Sequence, residues 1–114
     1  MGDVQLSAST VAQRLRTLAQ LYQQGQTSEL MERTLDKLLT HEASVCREQL
    51  GQLQSDLAEF EERYGLSSDE FYRRFQDGQT DDRMDYIEWA SLVQMQDNIQ
   101  KRLRVLIGEV QPVS

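Results

Sequence analysis

The chain has 114 residues and a mass of 13.2 kDa, room for one domain with one core. Apolar residues make up 39% of it and charged residues 27%, with one proline, a balance that excludes intrinsic disorder and favours long uninterrupted helices. Twelve basic against nineteen acidic side chains give a net charge of -7, which repels nucleic acid and anionic membrane and fits a basic or apolar partner instead.

The opening segment MGDVQLSAST has neither a basic stretch nor an apolar run, and no part of the chain approaches the 18 consecutive apolar residues of a membrane span. Cys46 is the only cysteine, so an internal disulfide and a cysteine-based zinc site are excluded and a reducing compartment is expected. Together these read as a cytoplasmic protein.

In chain order, Val11, Leu15, Leu18, Tyr22 and Gly25 recur at steps of four and three behind the cap candidates of SAST, which predicts a first helix over 10–24. GQTS then breaks it. From Ser28 to Tyr64 there is no proline, and Leu39, Ala43, Cys46, Leu50, Leu53, Leu57, Phe60 and Tyr64 alternate steps of four and three, the spacing of a coiled-coil-like seam. Upstream of Leu39 the register changes, since Met31, Leu35 and Leu38 are apolar while Glu32 and Asp36 hold the seam positions.

A helix over 28–64 is about 55 Å long at ~1.5 Å per residue, against a radius of gyration near 13 Å for a compact domain of about this size. Unless Gly51 breaks it, its seam needs cover from a second copy or from another protein, and a homodimer through Leu39, Cys46, Leu50, Leu53, Leu57 and Phe60 is the simplest arrangement. Ordinary packing within the chain accounts for the shorter helices.

Gly65 suits the residue just past a helix end, and Ser67 with Glu70 forms an S-x-x-E capping box, flanked by Leu66 and Phe71 in hydrophobic-staple positions. A short helix over 68–77 follows, carrying Phe71, Tyr72 and Phe75. The stretch DGQTDDRMDYIEW then places Asp77, Gln79, Asp81, Asp85 and Glu88 at positions 1, 3, 5, 9 and 12 of a calcium loop. Asp82 stands where that loop takes glycine, and Asp85 with Glu88 makes a second capping box, with Met84 and Trp89 as its staple, so a turn and a helix start are the preferred reading and no metal ligand is assigned. The last helix, over 86–107, shows Trp89, Leu92, Gln96, Ile99, Leu103, Leu106 and Val110 at heptad spacing, ended by Gly108 and Pro112.

Three further constellations weigh less. His41 and Cys46 lie on different faces with no acid to complete a triad, so no catalytic residue is assigned. Glu61, Glu62, Asp85 and Glu88 form a loose carboxylate set that a small magnesium-dependent all-α nucleotide hydrolase could use. KRLR at 101–104 is the one basic cluster and complements a helix C-terminus.

The segment FEERYGLSSDEFYRRFQDGQTDDRMDYIEWASL, residues 60–92, resembles one shared by small bacterial antitoxin-like proteins, with the pattern F-E-x-x-Y-G-x-S-S-x-E-F-Y-x-x-F, a glycine-bearing acidic turn and D-[FY]-x-E-W. Phe60, Tyr64, Gly65, Ser67, Phe71, Phe75, Gly78, Asp85, Glu88 and Trp89 match, whereas the turn GQTDD departs from the G-E-L-G-D-D form. The resemblance implies a binding protein that covers a basic toxin encoded beside it, anchored by the aromatic residues Phe71, Tyr72, Phe75, Tyr86 and Trp89.

The sequence thus reads as a single all-α domain over 1–114, an elongated helical bundle or helical hairpin with one long helix, dimeric, without cofactor. Its expected function is non-enzymatic protein binding of the antitoxin-like kind. A metal-dependent nucleotide hydrolase and a structural coiled-coil adaptor are the alternatives.

Overall fold

The structure is a computed structural model that describes residues 8–109; the cap candidate Ser7, and Val110 and Pro112 beyond the last helix, lie outside the described residues. It is all-α: 82% of the described residues are helical, in α1 (Ala8–Gln23), α2 (Glu29–Tyr64), α3 (Ser68–Gln76) and α4 (Met84–Leu106), and there is no strand among them. Nor is any described helix long and apolar enough to cross a membrane.

Where the sequence reads as one domain, the chain divides into two compact units, one up to Lys37 and one from Leu38 onward, with α2 contributing to both. In the first unit α1 and the opening turns of α2 form an αα-hairpin. Gly25 takes φ +72°, which an L side chain adopts only with strain, and this lets Gln26 N–H reach back to the Leu21 carbonyl at 2.8 Å and close α1. Ser28 Oγ then accepts the Met31 N–H at 3.1 Å and starts α2. No described residue of this unit is buried.

In the second unit α2 runs through Gly51 without a break, and α4 returns antiparallel along it. Arg102 reaches Glu42 at 2.6 Å at one end, while Tyr64 and Arg63 donate to Asp85 at the other. Between these ties Ala43, Cys46, Leu50, Leu53, Leu57 and Phe60 are each at most 9% exposed. The predicted seam is therefore real but occupied within the chain: Cys46, Leu50, Leu53, Leu57 and Phe60 are core, not a dimer surface. Leu39, 46% exposed, does not join them. A seam of one stripe per helix is satisfied equally by an antiparallel neighbour from the same chain, and α4 supplies it.

The start of α3 follows the sequence closely. Ser67 is its N-cap and accepts the Glu70 N–H at 3.1 Å. The reciprocal half of the box is replaced: Glu61, from α2, accepts the Ser68 N–H at 2.9 Å, while the Glu70 carboxylate turns to Arg73 and Arg74.

The start of α4 is a correction. Its N-cap is Arg83, with no side-chain cap bond, so Asp85 lies inside the first turn and no Asp85–Glu88 box forms. Asp85 instead accepts from Tyr64 Oη at 2.6 Å and from Arg63 at 2.9 Å, so its carboxylate is committed to remote side chains rather than to the backbone of the helix start. Met84, 75% exposed, cannot staple Trp89, which is wholly buried.

Candidate protein-binding site

The C-terminal end of α2, α3 and the N-terminal end of α4 meet in an aromatic cluster. Trp89 stacks on Phe71 with ring centroids 3.9 Å apart and planes 1° from parallel, and lies 5.6 Å from Phe60 and 5.7 Å from Tyr64. Its indole N–H donates to Ser68 Oγ at 2.9 Å inside the core, so both polar groups are satisfied away from water. Tyr86 joins at 5.4 Å from Phe71, and the Arg83 guanidinium caps its ring at 4.6 Å.

This arrangement sorts the five residues expected to anchor a partner. Phe71 (1% exposed) and Trp89 (0%) are corrected to internal core, because the chain's own rings cover both faces of the indole. Tyr72, Phe75 and Tyr86 are half-buried and keep an open edge. Tyr72 Oη accepts a hydrogen bond from Gln94 at 3.0 Å. Above the cluster opens a cleft of about 490 Å³ whose floor is Phe71, Tyr86 and Trp89 and whose rim includes Arg74, Gln79 and Asp81.

Two acidic residues of the turn are tied to a cation. Asp77 pairs with Arg73 at 3.6 Å and Asp81 with Arg83 at 2.8 Å. Hydrogen bonds from the Arg83 side chain hold the Asp81 carboxyl below its ordinary range, and those from Tyr64 and Arg63 do the same for Asp85. Arg73 and Arg74 together hold Glu70 at about 2. Among the described residues no three carboxylate, histidine or cysteine groups gather as metal ligands. Glu61 caps α3 and Asp85 binds Tyr64, so the hydrolase set Glu61, Glu62, Asp85 and Glu88 is not brought together as a cation site. A hollow of about 330 Å³ does collect Asp56, Glu59, Asp85 and Glu88, and Arg63 is the cation within it. His41 is exposed and Cys46 buried, so imidazole and thiol do not face a common substrate.

What the heptad reading missed is the outer face of α4. Met84, Ile87, Met95 and Val105 are 75%, 44%, 48% and 46% exposed, and at 100° per residue they share one side of the helix, opposite the buried Trp89. The signal was present as apolar residues outside the seam positions. Fifteen acidic against eight basic side chains from residue 38 onward place the whole net charge of -7 in the unit that carries this face. Comparison with known proteins returns no match: no family model, no curated protein and no solved structure is significantly similar to the chain.

Proposed function

We propose that the chain is a non-catalytic protein-binding module, of the antitoxin-like kind that residues 60–92 resemble, and that it receives a basic protein on the outer face of α4. The observation that carries this reading is a helix apolar on both sides: Trp89 and Ala90 face the core while Met84, Ile87, Met95 and Val105 face outward. A helix of a self-sufficient domain keeps its outer side polar. Methionine adapts to irregular partner surfaces, and Met84 and Met95 supply two on this face. The acidic surround speeds and orients the approach of a cationic partner, while the apolar stripe holds it.

The test is copurification of the tagged chain with the product of the adjacent gene, followed by titration calorimetry with Met84→Asp and Ile87→Asp variants. Both variants should lose binding by more than tenfold while unfolding like the parent, since neither side chain supports the core. Retained affinity in both variants refutes the assignment of this face.

A further inference from the structure

We infer that the N-terminal hairpin is a self-association surface, and that its occupant is the same hairpin of a second copy. This goes beyond the binding function proposed for α4 and does not depend on it. In α1 and the first turns of α2, Val11 is 40% exposed, Leu15 52% and Leu30 74%, and Leu18, Met31 and Leu35 are half-open. Leu18, Leu30, Met31, Thr34 and Leu35 line a groove of about 260 Å³ between the two helices, apolar but for the Thr34 hydroxyl.

Two helices cannot enclose a core between them, and here nothing up to Lys37 is buried among the described residues. The pattern is nevertheless that of a bundle half: apolar positions fall on one side of α1 at steps of four and three. Joining two such hairpins about a two-fold axis makes a four-helix bundle in which each groove receives the other copy's leucines.

Charge selects the second copy over other occupants. Residues 1–37 carry four acidic and four basic side chains, while the rest of the chain carries the entire -7. Two copies meeting through their acidic units repel one another; meeting through the neutral hairpins, they do not. A basic partner, conversely, has no electrostatic reason to choose the neutral unit.

Area is sufficient. The open parts of these six side chains offer on the order of 400 Å² of apolar surface per copy. At the roughly 65% apolar share of homodimer interfaces, this corresponds to about 1,200 Å² buried in total, the lower end of a specific interface.

The test is sedimentation velocity of the full chain over a wide concentration range, with Leu15→Glu and Leu30→Glu variants. The parent should sediment as a dimer of twice 13.2 kDa. Each substitution should weaken dimerisation by about tenfold or more, because it sets a charge in an apolar contact. Urea unfolding of the second unit, followed by Trp89 fluorescence at low concentration where the parent is monomeric, should not move. A parent that stays monomeric at every concentration overturns the inference. So does a dimer that survives the combined Leu15→Glu and Leu30→Glu substitutions, or one that only Met84→Asp dissociates.

Discussion

Ser68→Ala isolates one hydrogen bond on which the aromatic cluster turns. The Trp89 indole N–H has a single partner, Ser68 Oγ at 2.9 Å, with Trp89 at 0% and Ser68 at 8% exposure. Removing the hydroxyl leaves a buried donor that water does not reach, a loss of about 1–3 kcal/mol. In a cooperative unit of this size each 1 kcal/mol lowers the melting temperature by about 4–8 °C, so a fall of roughly 4–24 °C is expected. The assay is urea and thermal unfolding followed by far-UV circular dichroism, with a double-mutant cycle. Trp89→Phe keeps an aromatic ring and removes the donor, so its cost in the Ser68→Ala background should be smaller than in the parent by roughly 0.5–3 kcal/mol, the coupling of two groups in contact. A change below about 0.5 kcal/mol for Ser68→Ala, the scatter of ordinary surface substitutions, refutes the reasoning. Strict additivity in the cycle does the same.

Ser67→Ala, one residue earlier, acts by another route: it removes the N-cap of α3 and should lose about 1 kcal/mol in urea unfolding, without coupling to Trp89→Phe. Leu53→Asp places a carboxylate at a site 5% exposed between α2 and α4, and should lose more than the ~2–5 kcal/mol of a core leucine truncation, read as collapse of the cooperative transition; a folded variant would show that the seam is not core. On acidification, Glu70 passes from a carboxyl of ordinary pKa 4.5 when unfolded to about 2 when folded. Its contribution is complete above pH 4.5 and is lost as pH falls toward 2, and the lowered Asp81 and Asp85 act in the same direction. Urea midpoints should therefore decline through this window, and Glu70→Gln should flatten the decline.

The helices were legible because their punctuation is local. Gly25, Gly65, Gly78 and Gly108 each stand just past a helix end with positive φ, and the Ser67 cap needs only residues three apart in sequence. The start of α4 was not legible, because its decisive partner is remote: a D-x-x-E spacing promises a cap, but Tyr64 and Arg63, some twenty residues upstream, take the Asp85 carboxylate. Ser68 was passed over for the same reason. Its neighbour Ser67 has the local signature, and the bond from Trp89 crosses 21 positions. The aromatic residues were correctly picked out as a group, yet a sequence cannot say which ring lies inside. Phe71 and Trp89 stack at the centre, whereas Tyr72, Phe75 and Tyr86, two of them with hydroxyls, remain at the edge.

Periodicity identifies a stripe that must be covered and says nothing of whose helix covers it. The seam from Cys46 to Phe60 argues for a second copy only while α4 is taken to be busy elsewhere, and α4 runs alongside with Arg102 on Glu42 and Asp85 on Tyr64. Once that seam is filled internally, the register change near Leu39 acquires its meaning. Upstream, Leu30, Met31 and Leu35 face a groove with Leu18 in a unit of zero net charge, and downstream the surface is acidic with an apolar stripe on α4. α2 thus contributes to two units with different physical requirements. The neutral unit tolerates an identical neighbour, whereas the acidic unit, which carries the α4 stripe, repels one and favours a cationic protein.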